Sequence, residues 1–214
     1  MARALRREDF ARRRLNASRE IPFQTVGGVT RKLIYSMSPS LDGFIASPGG
    51  DIDWSAPDEE LHRFHNEQTR ELGAHLLGRR LYETMLYWET PEPDASESEV
   101  TVEFARIWRA LPKIVFSNSL ERVEGNARLA HGTLGEEVAR LKREPGPDIA
   151  VGGAGLAATA TELGLIDEYR LFLNPVLVGG GTGYFPPVSE QVNLELLESR
   201  TFGDRVVYLR YRRV

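Results

Sequence analysis

Residues 148–158, DIAVGGAGLAA, hold the groups of this chain best suited to grip a phosphate. A short apolar run, Ile149, Ala150 and Val151, ends in Gly152 and Gly153. Ala154, Gly155 and Leu156 follow and open an alanine-rich segment that predicts a helix. Glycines at a strand end let the backbone approach a ligand closely and reach angles closed to other residues. The first turn of the helix offers unpaired N–H groups and a partial positive charge. Together they suit a dinucleotide pyrophosphate. Gly78, Arg79 and Arg80 repeat the theme: a predicted buried strand ends, a helix starts, and guanidinium forks meet an arriving anion. Arginine there favours a 2′-phosphate, hence NADPH over NADH; the plainer alternative is a surface arginine pair at a helix start. Ser117, Asn118 and Ser119 end a third predicted strand with small hydrogen-bonding groups, which are also ordinary turn formers.

Such residues act together only if their strands end on one edge, where open α/β sheets bind ligands. Alternation and apolar runs predict strands over 32–38, 74–77, 113–117, 128–130, 149–151 and 169–173, with a closing strand over 205–211. Helices are expected from Pro57 to about Leu72, stopped by Gly73, and over 79–86, 100–111, 134–142 and 156–163. Residues 39–50 and 91–98 read as loops. Strands alternating with helices argue for an α/β sheet covered on both faces. The long last connection implies an antiparallel strand at the end. A full Rossmann domain does not fit, because only roughly sixty residues follow the G-x-G-x-x-A match.

Composition narrows the classes further. The chain has 214 residues, 41% of them hydrophobic, enough for a sizeable core. It has no cysteine, which excludes disulfides, thiol catalysis and cysteine-held zinc and fits a cytoplasmic protein. No apolar run approaches the ~20 residues of a membrane span. The net charge of −4 hides an asymmetry: residues 1–31 carry eight arginines against Glu8, Asp9 and Glu20. The acidic remainder is a poor nucleic-acid binder. Residues 1–30 are expected to form a basic, poorly ordered extension, and 31–214 the folded domain.

Six motifs stand in order along that domain: LDGFIA, DW-x-x-P-x-E, LLGRRLYE, KIVFSNS, DIAVGGAGL and LNPVLVGGG. In this order and spacing the chain resembles the dihydrofolate reductase-like family, in the branch of the riboflavin-pathway reductase C-terminal domain and its stand-alone relatives. The resemblance spans residues 31–212. It implies a three-layer α/β fold with a mixed, mostly parallel central sheet, helices on both faces and an antiparallel C-terminal strand. It also implies a homodimeric NADPH-dependent oxidoreductase that reduces a C=N or C=O group of a pterin, pyrimidine or related small heterocycle. The alternatives are a ribosylaminopyrimidine reductase of the riboflavin pathway, or a non-enzymatic nucleotide-binding protein on the same fold.

Carried over residue by residue, the resemblance places Gly152, Gly153, Ala154, Gly155 and Leu156 along the pyrophosphate and nicotinamide, with the paired glycines joined by a cis peptide. Gly78 and Arg79 would meet the 2′-phosphate, Ser117 and Asn118 the adenosine, and Ser38, Asp42 and Ile45 the nicotinamide. On the substrate side it places Trp54 by the ring. Glu59 becomes a buried carboxylate of raised pKa that orients a nitrogen heterocycle or relays a proton, with Asp42 as second candidate. Alternatively, Asp58, Glu59 and Glu60 complement a helix dipole and Trp54 is a core aromatic. Leu81 stands where folate reductases usually offer a hydroxyl. His62, Arg63 and Asn66 replace the apolar residues that clasp a folate, which points away from dihydrofolate. Glu59, His62 and His65 share a helix face, but no second helix offers matching ligands, so no metal is expected.

Overall fold

Short apolar runs closed by glycine, serine or proline alternate with amphipathic segments, and in the computed structural model each run becomes a strand of one sheet. The structure describes residues 30–89 and 98–214. The basic extension and most of the loop expected over 91–98 therefore lie outside the described residues. The strands are β1 (Leu33–Met37), β2 (Phe44–Ala46), β3 (Leu72–Gly78), β4 (Lys113–Phe116), β5 (Ala127–Leu129), β6 (Asp148–Gly152), β7 (Glu168–Leu173), β8 (Thr182–Gly183), β9 (Leu194–Phe202) and β10 (Val206–Arg213). The helices are α1 (Glu59–Arg70), α2 (Arg79–Met85), α3 (Glu99–Ala110), α4 (Leu134–Arg143) and α5 (Ala154–Glu162).

The main sheet runs β5-β4-β3-β6-β1-β7-β10-β9. Its first six strands are mutually parallel, and β10 returns antiparallel between β7 and β9. β2 and β8 form a small separate antiparallel pair. On one face α4 and α5 bury Leu134, Val138, Leu141, Ala157 and Ala160 with Leu33, Tyr35, Ile149 and Val151. On the other face the cover is divided. α1 packs Leu61 and Phe64 with Phe172 and Tyr208, while α2 and α3 pack Tyr82 and Trp108 with Leu77 and Val115. Between these two clusters lie Ile34 and Ala150, paired across β1 and β6. The architecture is the expected mixed, mostly parallel α/β sheet with an antiparallel C-terminal strand.

Local chemistry sets the helix starts. The Asp58 carboxylate accepts from the Leu61 N–H at 2.9 Å and caps α1. Thr133 and Glu136 form a reciprocal capping box on α4. Three boundaries differ from the sequence expectation. α1 ends at Arg70, and Gly73 sits inside β3 at an irregular register rather than stopping a helix. A Cβ on Gly73 would stand 2.7 Å from Arg31 Nη2 and 3.0 Å from the Pro147 carbonyl, so close backbone approach explains this glycine. β2 crosses part of the segment expected to be loop. β9 was not anticipated, because this edge strand buries only Phe202 and so shows no alternation. Among the described residues no helix is long and apolar enough to cross a membrane.

Candidate functional site

Four neighbouring parallel strands, β4, β3, β6 and β1, end together. Gly78 pairs with Phe116, Leu77 with Gly152, and Tyr35 with Val151. The residues just beyond, Ser117, Gly78, Gly153 and Ser38, therefore share one rim. Gly153 is the N-cap of α5, with φ +93° and no side-chain cap. That conformation strongly favours glycine. A Cβ there would lie 3.7 Å from both the Gly78 nitrogen and Leu81 Cβ, so the two glycine turns abut. A Cβ on Gly155 would meet nothing within 4 Å. The first turn of α5, from Ala154 through Leu156, thus opens outward from the rim. The Gly152–Gly153 bond is trans, since no cis peptide occurs among the described residues; this corrects the cis bond implied by the resemblance.

Arg79 heads α2 with its side chain about half exposed. Nη1 donates to Ser119 Oγ at 2.9 Å and Nε faces Glu83 at 3.5 Å. Ser117 Oγ accepts from the Ser119 and Leu120 N–H groups at 3.2 and 3.0 Å, so this hydroxyl shapes its own turn. Asn118 is exposed beside it. An open depression of about 570 Å³ adjoins this end of the rim, between Tyr82, Leu86, Ser119 and Arg122.

The opposite end is built by a loop clamp. Ser40 bridges to Asn174. The Asp42 carboxylate accepts from Ser40 Oγ at 2.6 Å, from the Gly179 N–H at 2.7 Å and from the Val178 N–H at 3.1 Å. The Ser40 bond first, then the Gly179 amide, holds the Asp42 carboxyl below its usual range. A carboxylate held ionised in this way positions loops and does not supply protons at neutral pH. Asp42→Ala is expected to speed hydrogen exchange of the Val178 and Gly179 amides at least tenfold while leaving β1 amides unchanged, as read by NMR. Ile45 is a core residue. It lies in β2, buried in the cluster that includes Tyr35 and Tyr184.

On the substrate side, Trp54 sits in a single turn at Asp53–Ser55, with a buried Nε1 that has no hydrogen-bond partner. Glu59 is not a buried carboxylate. Its side chain is 62% exposed and ion-paired with Arg63 one turn along α1. The i,i+4 partner and the helix start account for its place.

What sequence reasoning missed lies beneath the rim, on the face shared by α1 and α3. The register sets Ser36 of β1 beside Arg170 of β7. Arg170 is 6% exposed. Its signal was a pair of opposite charges, Glu168 and Arg170, two apart on one face of a fully strand-like run, EYRLFL. Above this row the His65 ring lies 4.4 Å from Phe172, and burial, with the charge of His62 second, pushes its pKa down to about 4. The His62 ring lies 5.6 Å from Phe104 and 6.4 Å from Trp88.

Known proteins share this fold. The family model described as the RibD C-terminal domain matches residues 31–208. YyaP, an uncharacterized protein of Bacillus subtilis (strain 168), is 31% identical over 182 residues, covering 85% of this chain and 94% of YyaP. A putative riboflavin biosynthesis protein from Shewanella sp. PV-4 superposes with a TM-score of 0.69 at 23% identity, over 86% of this chain and 99% of that one. Dihydrofolate reductase from Enterococcus faecalis, solved with NADP(H) and RAB-propyl, superposes with a TM-score of 0.59 at 18% identity, again over 86% and 99%. The two superpositions identify the fold as dihydrofolate reductase-like. With its strand order, its glycine rim and a family match over most of its length, the chain belongs to the RibD C-terminal domain family.

Proposed function

We propose that this protein is an NADPH-dependent reductase that delivers a hydride to a C=N or C=O carbon of a pterin, pyrimidine or related heterocycle. The observation that carries this reading is the rim itself: four neighbouring strands end together, with an uncapped α5 turn and the half-exposed Arg79 beside them. The residues suit the dinucleotide. Backbone N–H groups from Gly153 to Leu156 would hold the pyrophosphate, because the space a Gly155 side chain would fill is empty. Gly78 and Arg79 would take the 2′-phosphate, with Arg79 leaving its contacts to Ser119 and Glu83. Ser117 and Asn118 would border the adenosine, and Ser38 the nicotinamide. Family membership supports a ring of the riboflavin-pathway type over a folate.

When bound, NADPH supplies the hydride, and the protein supplies position and a water-poor pocket. A proton must follow to complete the new CH–NH or CH–OH group. Asp42 does not donate it; it braces the loop that leads from Ser38. Solvent water would deliver the proton at this end of the cleft, where Glu59 stands exposed and paired with Arg63. Trp54 would stand on the substrate side, its Nε1 offering a donor to the ring.

We also propose a homodimer. Val207 of β10 and Leu196 of β9 are 38% and 51% exposed on the sheet face away from α1, and Phe185, whose ring lies 5.8 Å from that of Tyr169, is 51% exposed; sedimentation of the full chain checks it. The reductase reading is tested by titrating NADPH against the full chain while following cofactor fluorescence. Saturable binding is expected, at least tenfold tighter than for NADH. Absence of binding at millimolar NADPH overturns the reading.

A further inference from the structure

Gly152 closes β6 one residue before the rim, and its backbone lies outside the left-handed region. Conformation therefore does not demand a glycine there; space does. A Cβ on Gly152 would stand 2.5 Å from Leu81 Cδ2 and 2.9 Å from His75 Nε2. The Leu81 methyl is the far end of a flexible side chain and can turn away. The imidazole cannot, because its ring is held from behind.

His75 lies on β3 opposite Ala150 of β6, while Leu77 opposes Gly152. Its ring sits 5.5 Å from that of Trp108 on α3, edge to face at 74°. Lys113 Nζ lies 4.9 Å over the Trp108 ring and donates to the Trp108 and Leu111 carbonyls at 2.5 and 2.9 Å. Glu89 closes the stack at 3.0 Å from Lys113 Nζ. A packed column thus runs from Glu89 through Lys113, Trp108 and His75 to Gly152. Plain filling does not account for a histidine at its head. His75 Nδ1 is buried with no hydrogen-bond partner among the described residues, a cost that an aliphatic side chain would avoid. Burial first, then the charge of Lys113, pushes the imidazole down to about 4, so the ring is neutral at physiological pH. What it contributes is a flat, stiff edge against a bare α-carbon.

We propose that His75 is a positioning residue for the rim: its imidazole braces Gly152 and thereby sets the Gly152–Gly153 turn that starts α5. This rests on the reductase reading for the identity of the ligand, a dinucleotide. The mechanical link is short. Gly153 follows directly at φ +93°, and its carbonyl accepts from the Ala157 N–H at 2.9 Å, the first backbone bond of α5. A shift at Gly152 therefore tilts the N–H groups of Ala154 to Leu156 that would hold the pyrophosphate. Arg79, at the 2′-phosphate end, stands on another helix.

The Ala157 amide reports the turn. The Leu163 amide, bonded to Thr159 at 3.0 Å near the other end of α5, is its control. In His75→Ala, hydrogen exchange at Ala157 is expected to quicken at least tenfold while Leu163 stays unchanged. NADPH and NADH, titrated separately onto the full chain, should weaken alike, each about tenfold, because they share the pyrophosphate. Gly152→Ala should cause the same losses by crowding the ring. Combining the two should return exchange and both affinities to within about threefold of wild type, since the new methyl group fills space the ring has left. A residue serving stability alone would quicken both amides together and give no rescue. If His75→Ala does not fold, His75→Val, which keeps strand propensity and still withdraws the Nε2 edge, is read in the same way. Parallel quickening of Ala157 and Leu163, no change at Ala157, or losses that add in the double variant overturn the proposal. The amide pattern and its rescue in a chain that binds neither cofactor uphold the positioning role and overturn the reductase reading instead.

Discussion

Gly155→Asp is expected to leave the protein folded, slightly more heat-stable, and about a hundredfold weaker for NADPH. The opposing signs follow from one position. Gly155 lies in the first turn of α5 at an ordinary negative φ, and a Cβ there meets nothing within 4 Å. Removing a helical glycine stabilises by roughly 0.5–1 kcal/mol. A carboxylate in the first turn adds about 0.3–1 kcal/mol through the helix dipole. The same charge lies where the pyrophosphate is proposed to sit. Two unit charges about 4 Å apart at an effective dielectric near 20 repel by about 4 kcal/mol, and solvent screening reduces this toward the ~2.7 kcal/mol of a hundredfold loss. Gly155→Ala separates bulk from charge, because it adds the methyl group alone. Thermal unfolding and NADPH fluorescence on the same samples give both signs. Normal NADPH affinity in Gly155→Asp would place the phosphates elsewhere.

The rim was legible because each strand end advertised itself. Gly78, Ser117 and Gly153 are punctuation marks at strand ends, and parallel strands force their ends together once the order is set. The substrate side was less legible, for two physical reasons. Glu59 fits a spacing that could bury a carboxylate, but a helix start and an i,i+4 arginine satisfy it at the surface. Asp42 and Ile45 sit in a loop whose partners, 178–179 and Tyr184, lie more than a hundred residues away. No local pattern reveals that one is a clamp and the other core. Arg170 illustrates the converse. Two charges, Glu168 and Arg170, on one face of a buried strand are a visible anomaly, but their meaning depends on Gln68, Lys32 and Arg210, which only the fold assembles.

Glu168→Ala is expected to destabilise the protein by about 3–5 kcal/mol, the usual cost of stranding buried charges by removing their partner. A domain of this size holds only about 5–15 kcal/mol in total, so the loss should be visible in urea unfolding at pH 7. The Glu168 side chain is 1% exposed, against Lys32, Arg170 and Arg210. Burial alone would push its carboxyl up. Hydrogen bonds from Arg210 and Lys32, and the charges of Arg170 and Arg210, overturn that and hold it at about 2. The folded pKa is therefore depressed. The stability it contributes is present in full above the unfolded value near 4.5 and is lost as pH falls toward about 2. The gap between wild type and Glu168→Ala should accordingly narrow between pH 7 and pH 3. A constant gap would mean that packing, not charge, sets the loss. Glu168→Gln, which keeps the shape, should fall between the two.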